Sequence, residues 1–588
     1  MEYWHQRQKE DFASVDMSFD FYYQTHSPEN IQLAQHFFKV LLEKGYIFKK
    51  KIKQFYCEKD KKFLPDRYVK GKCPYCGAED QYADGCEKCG RTFEPGELLE
   101  PKCAICGSTP VFKETLHYFF KLSAFSDKLK EWLENNKNLQ EDVKNYVLRW
   151  IEEGLKDWDI TRDISWGVPI PLEEAKGKVL YGWFDNHLGY ISFVLRYCKD
   201  RGIDGKEFWN SSTIYHFIGK DIVYHHYLFL PAMRMAEGSF KLPDFIPTRG
   251  HLLLEGKKFS KSRNWYISVR DFVKNFPSDY LRYYLAAITP YSQADVNFSW
   301  KEFQAKINNE LVANIGNFIY RTLSFIHSYF DGKVPTPTQF DDVDLEFKKK
   351  IESAAEYVGK EMDSMNFDKA LKRIAEFSSF CNQYFQKKEP WKTKDENCLF
   401  LCINAVRVLA ILLRPFVPKS SKRIWELLSL EGWEDVRWEW ASQIAIEAGH
   451  QIKEPEIVFR KISDEEIEKQ ISSLGKRNSG KKISLDEFRK IEMKVGKVLD
   501  VEEIEGSDNL YKLKVSFGDE EKVCVSGVRK WYSKDDLIGK KFVFVVNLEP
   551  KKIRGIESEC MILAAEDDKG NIVLISPEKD VKEGSRIL

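Results

Sequence analysis

The chain has 588 residues, too many for one hydrophobic core, so three to five domains are expected. Lys plus Arg and Asp plus Glu both total 91, so a polyanion would have to be held by local basic patches and not by a global positive field. No run of apolar residues reads as long enough to span a bilayer, and the opening Met1-Glu2-Tyr3-Trp4-His5 has no signal-peptide core; no membrane partner and a cytoplasmic location are expected.

Residues 1–50 read as helices with short connections. Leu33, Ala34, Phe37, Phe38, Leu41 and Leu42 recur at helical spacing, and Gly45 ends the pattern. Residues 51–115 are rich in Cys, Gly and Lys and poor in apolar periodicity, as suits a small metal-stapled insertion. From 116 to 245 helical stretches alternate with short β-branched or aromatic runs, among them 179–181 and 214–218, which predicts a parallel α/β sheet. Residues 246–299 carry a Lys- and Ser-bearing loop. Residues 300–460 read as nearly all helix: Leu371, Ile374, Phe377, Cys381, Tyr384 and Phe385 form one apolar stripe, and 399–413 is apolar almost all round, a buried bundle helix stopped by Pro415. The charged stretch 461–483 reads as a linker. Short strands at 495–501, 511–517, 523–526, 542–548 and 560–564 predict a small β-barrel over 484–588.

Two chemical signals stand out. Cys73-Pro-Tyr-Cys76-Gly and Cys86-Glu-Lys-Cys89-Gly are paired knuckles whose four thiolates suit a closed, structural Zn2+ site better than four buried free cysteines. Cys103-Ala-Ile-Cys106-Gly is a third knuckle, and Cys57 with Asp60 at matching spacing upstream completes a candidate second site. The other signal is Gly250-His251 followed by Lys258-Phe259-Ser260-Lys261-Ser262. Hydroxyls, backbone N–H groups and two ammoniums on a short loop could wrap a polyphosphate and stabilise charge developing on it.

That loop resembles the Lys-Met-Ser-Lys-Ser signature of class I aminoacyl-tRNA synthetases. The runs 63–71, 158–163 and 215–222 resemble the methionyl-tRNA synthetases in particular, and the likeness extends over essentially the whole chain. It implies an incomplete Rossmann-like catalytic domain with a zinc-knuckle insertion, an α-helical anticodon-binding bundle and a C-terminal oligonucleotide-binding (OB) fold. It implies ATP with Mg2+, L-methionine and tRNA(Met) as partners. Lys258 and Lys261 would be catalytic, with Ser260, Ser262, Gly219, Asp221 and His251 as further ATP contacts. Trp183, Tyr190, Asp221 and His226 would hold methionine, with Arg162 near the active site. The chain departs from the family at Asn186-His187, where Ala-Pro is usual, and at Leu230, where Trp is usual; both changes touch the pocket or its rim.

Asn317 and Arg321, four apart on one helix face, and Trp391 match positions that recognise the methionine anticodon, by base-edge hydrogen bonding and stacking. Lys551, Lys552 and Arg554 in the tail are expected to contact tRNA phosphates, and the family's tail domain implies a homodimer. Family members open with a strand and a His-Ile-Gly-His-like turn that binds ATP phosphates; the run His216-Phe217-Ile218-Gly219 belongs to a later motif. Three explanations are open: a start assigned at an internal Met, a separate chain supplying that element, or loss of catalysis leaving a tRNA-binding protein.

Overall fold

Ser27 caps the helix Pro28–Glu43 by accepting from the Asn30 backbone, Pro28 presets its first turn, and Ala34, Phe37, Phe38 and Leu41 form its buried face. The helix ends just before Gly45, as its spacing predicts. The computed structural model describes all residues except 66–67, 84–94, 262–263, 476–484, 506, 567–570 and 588. The chain divides into two units, Met1–Gly475 and Lys476–Leu588.

In the first unit the strand Ile47–Cys57 runs across the expected 50/51 division and pairs antiparallel with Val111–Phe120, from Ile47↔Phe120 to Tyr56↔Val111. This long ladder frames the Cys-rich insertion. Among its described residues the insertion has a small apolar cluster of its own, including Phe55, Leu64, Val69 and Leu98, with Cys57, Cys73 and Cys103 among its members. Beyond the ladder, Trp158–Asp159 joins Val111–Phe120, and Thr161–Arg162 pairs antiparallel with Val179–Leu180. The run at 179–181 is therefore a strand, but not a parallel one. Parallel pairing appears between Ile218–Gly219 and Thr248–Arg249, and between Leu252–Leu254 and Val296–Phe298. Of the stretch 214–218, only Ile218 lies in that strand, with Tyr215 bridging to Phe245. A π-helical segment, His225–Phe229, leads into the helix Leu230–Glu237, and both are buried against Phe37, Phe120, Phe184 and Trp209.

The bundle follows as expected. A second π-helical segment, Ile307–Gly316, runs into the helix Asn317–Phe330, which packs with Phe367–Lys388 and Glu396–Leu413, and Asp342–Asp363 packs on the same two helices. The stripe Leu371, Ile374, Phe377, Cys381, Tyr384 and Phe385 is buried throughout. Glu396–Leu413 has the length and apolarity to cross a membrane, contrary to the first reading of composition, but 89% of it is buried among the other helices. The expected linker also begins as structure: Ser463 and Glu466 form a capping box that starts the helix Asp464–Ser473, and Ile467 packs into the bundle core.

The second unit is an antiparallel five-stranded sheet in the order Glu521–Ser526, Tyr511–Ser516, Met493–Glu503, Lys541–Val545, Met561–Ile562. Hydrogen bonds from Glu559 N to Val523 O (2.8 Å) and from Val525 N to Ser558 Oγ (2.9 Å) bring its ends together, so the barrel is nearly closed. Val498, Leu513, Val515, Phe517 and Phe544 fill it.

Candidate active site and metal-ligating clusters

The two described knuckles are built alike. Gly77 N donates to Cys73 O and Gly107 N to Cys103 O, at 3.0 and 2.8 Å, and each glycine is left-handed, at φ +67° and +72°. The strand pairing Val69↔Cys103 brings the knuckles side by side. Cys57, Asp60, Cys103 and Cys106 converge, with all four donor atoms within 4.8 Å of one another. Cys57 Sγ lies 3.4 Å from Cys106 Sγ and 3.2 Å from Asp60 Oδ2, and Cys103 Sγ lies 3.1 Å from Asp60 Oδ2. Donors around a tetrahedral zinc, with sulfur at ~2.3 Å, stand roughly 3.5 Å apart, so this soft donor set fits that ion. Cys73 is buried and Cys76 exposed; Cys86 and Cys89 lie outside the described residues.

The Lys/Ser loop is the tip of a hairpin. Leu252–Leu254 turns through Glu255 and Gly256 into Lys257–Lys258, and Ser260 exchanges two 2.8 Å backbone hydrogen bonds with Trp265. Trp265 anchors it from below, donating to Leu254 O at 2.9 Å. Lys258 and Lys261 stand exposed; Ser262 lies outside the described residues. Gly250 is required by contact: a Cβ there would fall 1.9 Å from Ala294 O. Asp295 ties the hairpin to the earlier motif. It accepts from His251 N and pairs with Lys220 Nζ, both at 2.7 Å, so Gly219, Asp221 and His251 border one junction.

Trp183, Tyr190 and His226 are brought together by histidines. Trp183 stacks on His225 with centroids 4.1 Å apart, Tyr190 lies 4.3 Å from His216, and Tyr190 Oη is 3.0 Å from His226 Nε2. His187 sits between them, 5.6 Å from Trp183 and 5.1 Å from His226. Tyr190 remains 38% exposed, whereas His187 is 2% and Arg234 1% exposed. Burial holds His187 and His216 well below the ordinary imidazole range, helped at His187 by the charges of His226, His225 and Arg234 and at His216 by those of Arg234 and His226. Burial takes His225 and His226 down to about 4, and Asp221 is the carboxylate whose charge opposes this. These imidazoles are therefore neutral at pH 7. Among the described residues neither ring nitrogen of His187, His216 or His225 has a partner, nor do Nε and Nη2 of Arg234. A cleft of about 940 Å3 opens in front of Trp183, lined also by Arg162, Tyr181 and Asp185. Burial raises Asp185 to about 7.

Sequence reasoning missed His216, His225 and Arg234 as pocket members. The available signal was density: four of the eleven histidines, His187, His216, His225 and His226, fall in this cluster.

In the bundle, Asn317 and Arg321 line a depression of about 670 Å3 with Asn309, Asn382, Gln386 and Lys387. The Arg321 guanidinium lies 4.6 Å from the Phe385 centroid and 5.4 Å from that of Trp391, so the three expected residues share one side of the bundle. Trp391 is partly buried, stacked on Phe385 at 6.1 Å. In the second unit Lys551 and Lys552 lie on the hairpin strand Lys551–Ile553, and Arg554 on its left-handed turn, all exposed.

A family profile described as tRNA synthetases class I (M) matches residues 1–323. The anticodon binding domain of methionyl tRNA ligase matches 334–479, and a putative tRNA binding domain matches 493–586. The methionine--tRNA ligases of Methanopyrus kandleri and Methanocaldococcus jannaschii are each 44% identical, with alignments covering 100% of this chain and 89% of each relative. That of Thermococcus onnurineus is 41% identical over 100% of this chain and 90% of its own. Among solved structures, a Mycobacterium tuberculosis methionyl-tRNA synthetase bound by methionyl-adenylate superposes with a TM-score of 0.64 at 24% identity, over 77% of this chain and 85% of that one, a likeness of fold.

Proposed function

Because this chain belongs to the methionine--tRNA ligases, class I aminoacyl-tRNA synthetases, we propose that its residues divide the family's two-step reaction among three regions. In that reaction methionine and ATP form methionyl-adenylate and pyrophosphate, and the methionyl group then passes to tRNA. The attacking carboxylate adds to the α-phosphate while pyrophosphate leaves, a step that needs positioning and charge neutralisation more than a protein nucleophile.

Lys258, Ser260, Lys261 and Ser262 bind the phosphates, Lys261 neutralising the leaving pyrophosphate, and Gly219, Asp221 and His251 border the nucleotide. The observation that carries this is the exposed Lys257–Lys258 hairpin joined through Asp295 to the Gly219–Asp221 turn. ATP would bring Mg2+, which would supply charge neutralisation at the phosphates. Trp183, Tyr190 and His226, with Asp221 beside them, hold methionine; the neutral imidazole wall and Leu230, buried on the helix Leu230–Glu237, shape the side-chain end. Asn317, Arg321 and Trp391 read the anticodon, while Lys551, Lys552 and Arg554 hold tRNA phosphates. Val573 and Ile575, exposed near the chain's end, support pairing of two copies through the tail unit. The translation chemistry supports a cytoplasmic location.

Two zinc ions staple the insertion, one on Cys73, Cys76, Cys86 and Cys89, the other on Cys57, Asp60, Cys103 and Cys106. Metal analysis should find two equivalents, falling to one in Cys103→Ser; an unchanged value in that variant removes the second site. The catalytic assignment is tested by methionine-dependent ATP–pyrophosphate exchange. Lys261→Ala should lower it by ~100-fold or more with the circular dichroism spectrum unchanged. Wild-type protein without exchange, or a fully active Lys261→Ala, overturns it.

A further inference from the structure

His117 is wholly buried (0% exposed) in the strand Val111–Phe120, at the root of the long ladder. Its Nδ1 lies 2.7 Å from Asp159 Oδ2 and its Nε2 lies 2.8 Å from Asp163 Oδ2. An ionised carboxylate only accepts hydrogen bonds, so both ring nitrogens must carry protons. Asp163 is ionised. Burial opposes its charge, but hydrogen bonds from His117, Lys178 and Thr115 outweigh that and take it to about 2. For His117, burial also opposes charge, and the Asp159 and Asp163 carboxylates outweigh it, so it titrates above its ordinary value.

The clamp reaches the substrate cleft through one residue. Asp159 Oδ2 also lies 3.4 Å from Arg162 Nη1, which donates to Thr161 O at 2.7 Å. The Arg162 guanidinium lies over the Tyr181 ring, 3.9 Å from its centroid, and both residues line the 940 Å3 cleft in front of Trp183. Among the described residues the side-chain hydrogen bonds of Arg162 all run through Nη1, which leaves Nε and Nη2 for a ligand.

We propose that His117 is a positioning residue of the aminoacylation site: a doubly hydrogen-bonded imidazole that fixes Asp159 and Asp163 and, through Asp159, holds Arg162 against the wall of the substrate cleft. The ligand class that Arg162 meets there is anionic, the carboxylate or phosphate of the amino acid or its adenylate. The inference rests on the cleft being the substrate site. The charged groups around His117 are Asp159, Asp163, Lys178 and Arg162, with the Thr115 hydroxyl on its own strand. Loss of the imidazole proton turns a ring lone pair toward one carboxylate and releases that side of the clamp, so Arg162 function should fade at alkaline pH.

The test is a double-mutant cycle in methionine-dependent exchange, run as pH profiles. His117→Gln, whose one amide nitrogen can stand in for only one of the two ring nitrogens, should lower kcat/KM for methionine roughly tenfold, the scale of one charge-assisted hydrogen bond. Arg162→Ala should lose at least as much, and the double variant should match Arg162→Ala alone. The alkaline limb present in wild type should vanish in both single variants. If His117→Gln does not fold, Asp159→Asn replaces it in the cycle, with the same non-additive result expected. Additive losses, a silent Arg162→Ala, or an alkaline limb retained in His117→Gln overturns the proposal while the site assignment stands. Absence of exchange in wild type removes the site assignment and the proposal together.

Discussion

Two segments of this chain share a rare backbone form and use it in opposite ways. His225–Phe229 and Ile307–Gly316 are both π-helical, and each sits at a candidate binding site. In the first, His225 keeps both ring nitrogens unpartnered, beside the equally unpartnered His187 and His216. In the second, Asn314 is saturated. It donates to Ala375 O (3.0 Å) and Ser379 Oγ (2.9 Å) and accepts from Ser378 Oγ (3.1 Å) and Asn382 Nδ2 (3.0 Å). Asn308, six residues earlier, exchanges two hydrogen bonds with the Ile462 backbone. The wider turn thus serves one site by leaving polar atoms open for an incoming group, and serves the other by locking a scaffold from which Asn317 and Arg321 project.

Acid should separate the two most strongly. His225 and His226 titrate near 4 in the fold against an ordinary 6.5, so the unfolded chain takes up protons first. Stability is therefore intact above about 6.5 and lost as pH falls toward about 4, by up to ~3 kcal/mol for each of these two residues. Chemical denaturation followed across that range should show the loss, and His226→Gln should reduce it; a flat profile would contradict the buried neutral cluster. Next in size, Asn314→Ala should destabilise the bundle by ~1–2 kcal/mol, since it strands buried Ser378 and three half-buried partners at once, read as a lowered Tm. Trp391→Ala should lower aminoacylation by roughly 10–100-fold, the scale of one stacked base, with ATP–pyrophosphate exchange within about twofold of wild type. Equal losses in both assays would make Trp391 a folding residue only. The smallest effect has the opposite sign to Asn314. His225→Phe removes two unsatisfied buried nitrogens at similar shape and should raise Tm by the equivalent of ~1 kcal/mol while weakening methionine binding; a fall in Tm would mean those nitrogens are satisfied in solution.

The regular parts of the fold were readable because one rule governs them. The stripe from Leu371 to Phe385 and the five barrel strands follow periodicities of 3.6 and 2, and each lies where its spacing predicts. The helix Asp464–Ser473 was hidden by its charges, although Ser463 and Glu466 spell its capping box. The short strands around Val179–Leu180 and Ile218–Gly219 carry too few residues for local pattern to distinguish antiparallel from parallel pairing. The candidate motif residues were named by type, spacing and likeness to the family. The groups that complete their surroundings, Arg234 behind the pocket and His117 under Arg162, come from distant stretches and make sense only once those stretches meet.

The ladder between Ile47–Cys57 and Val111–Phe120 carries the Cys57, Asp60, Cys103 and Cys106 donor cluster at its far end. Cys57 closes the first strand, and Cys103 and Cys106 lie just before the second. A cation held there acts as a clasp that sets strand alignment. A slip of one rung between these two strands would turn Ile47 and Phe55 out of their apolar clusters, and such a clasp would oppose it. Joining Cys57 to Cys106 also shortens the chain that must close before the rungs can form, so refolding should run faster with the ion present than after its removal. Metal captured in the insertion would in this way govern how quickly, and in what alignment, the floor beneath the distant substrate cleft is laid.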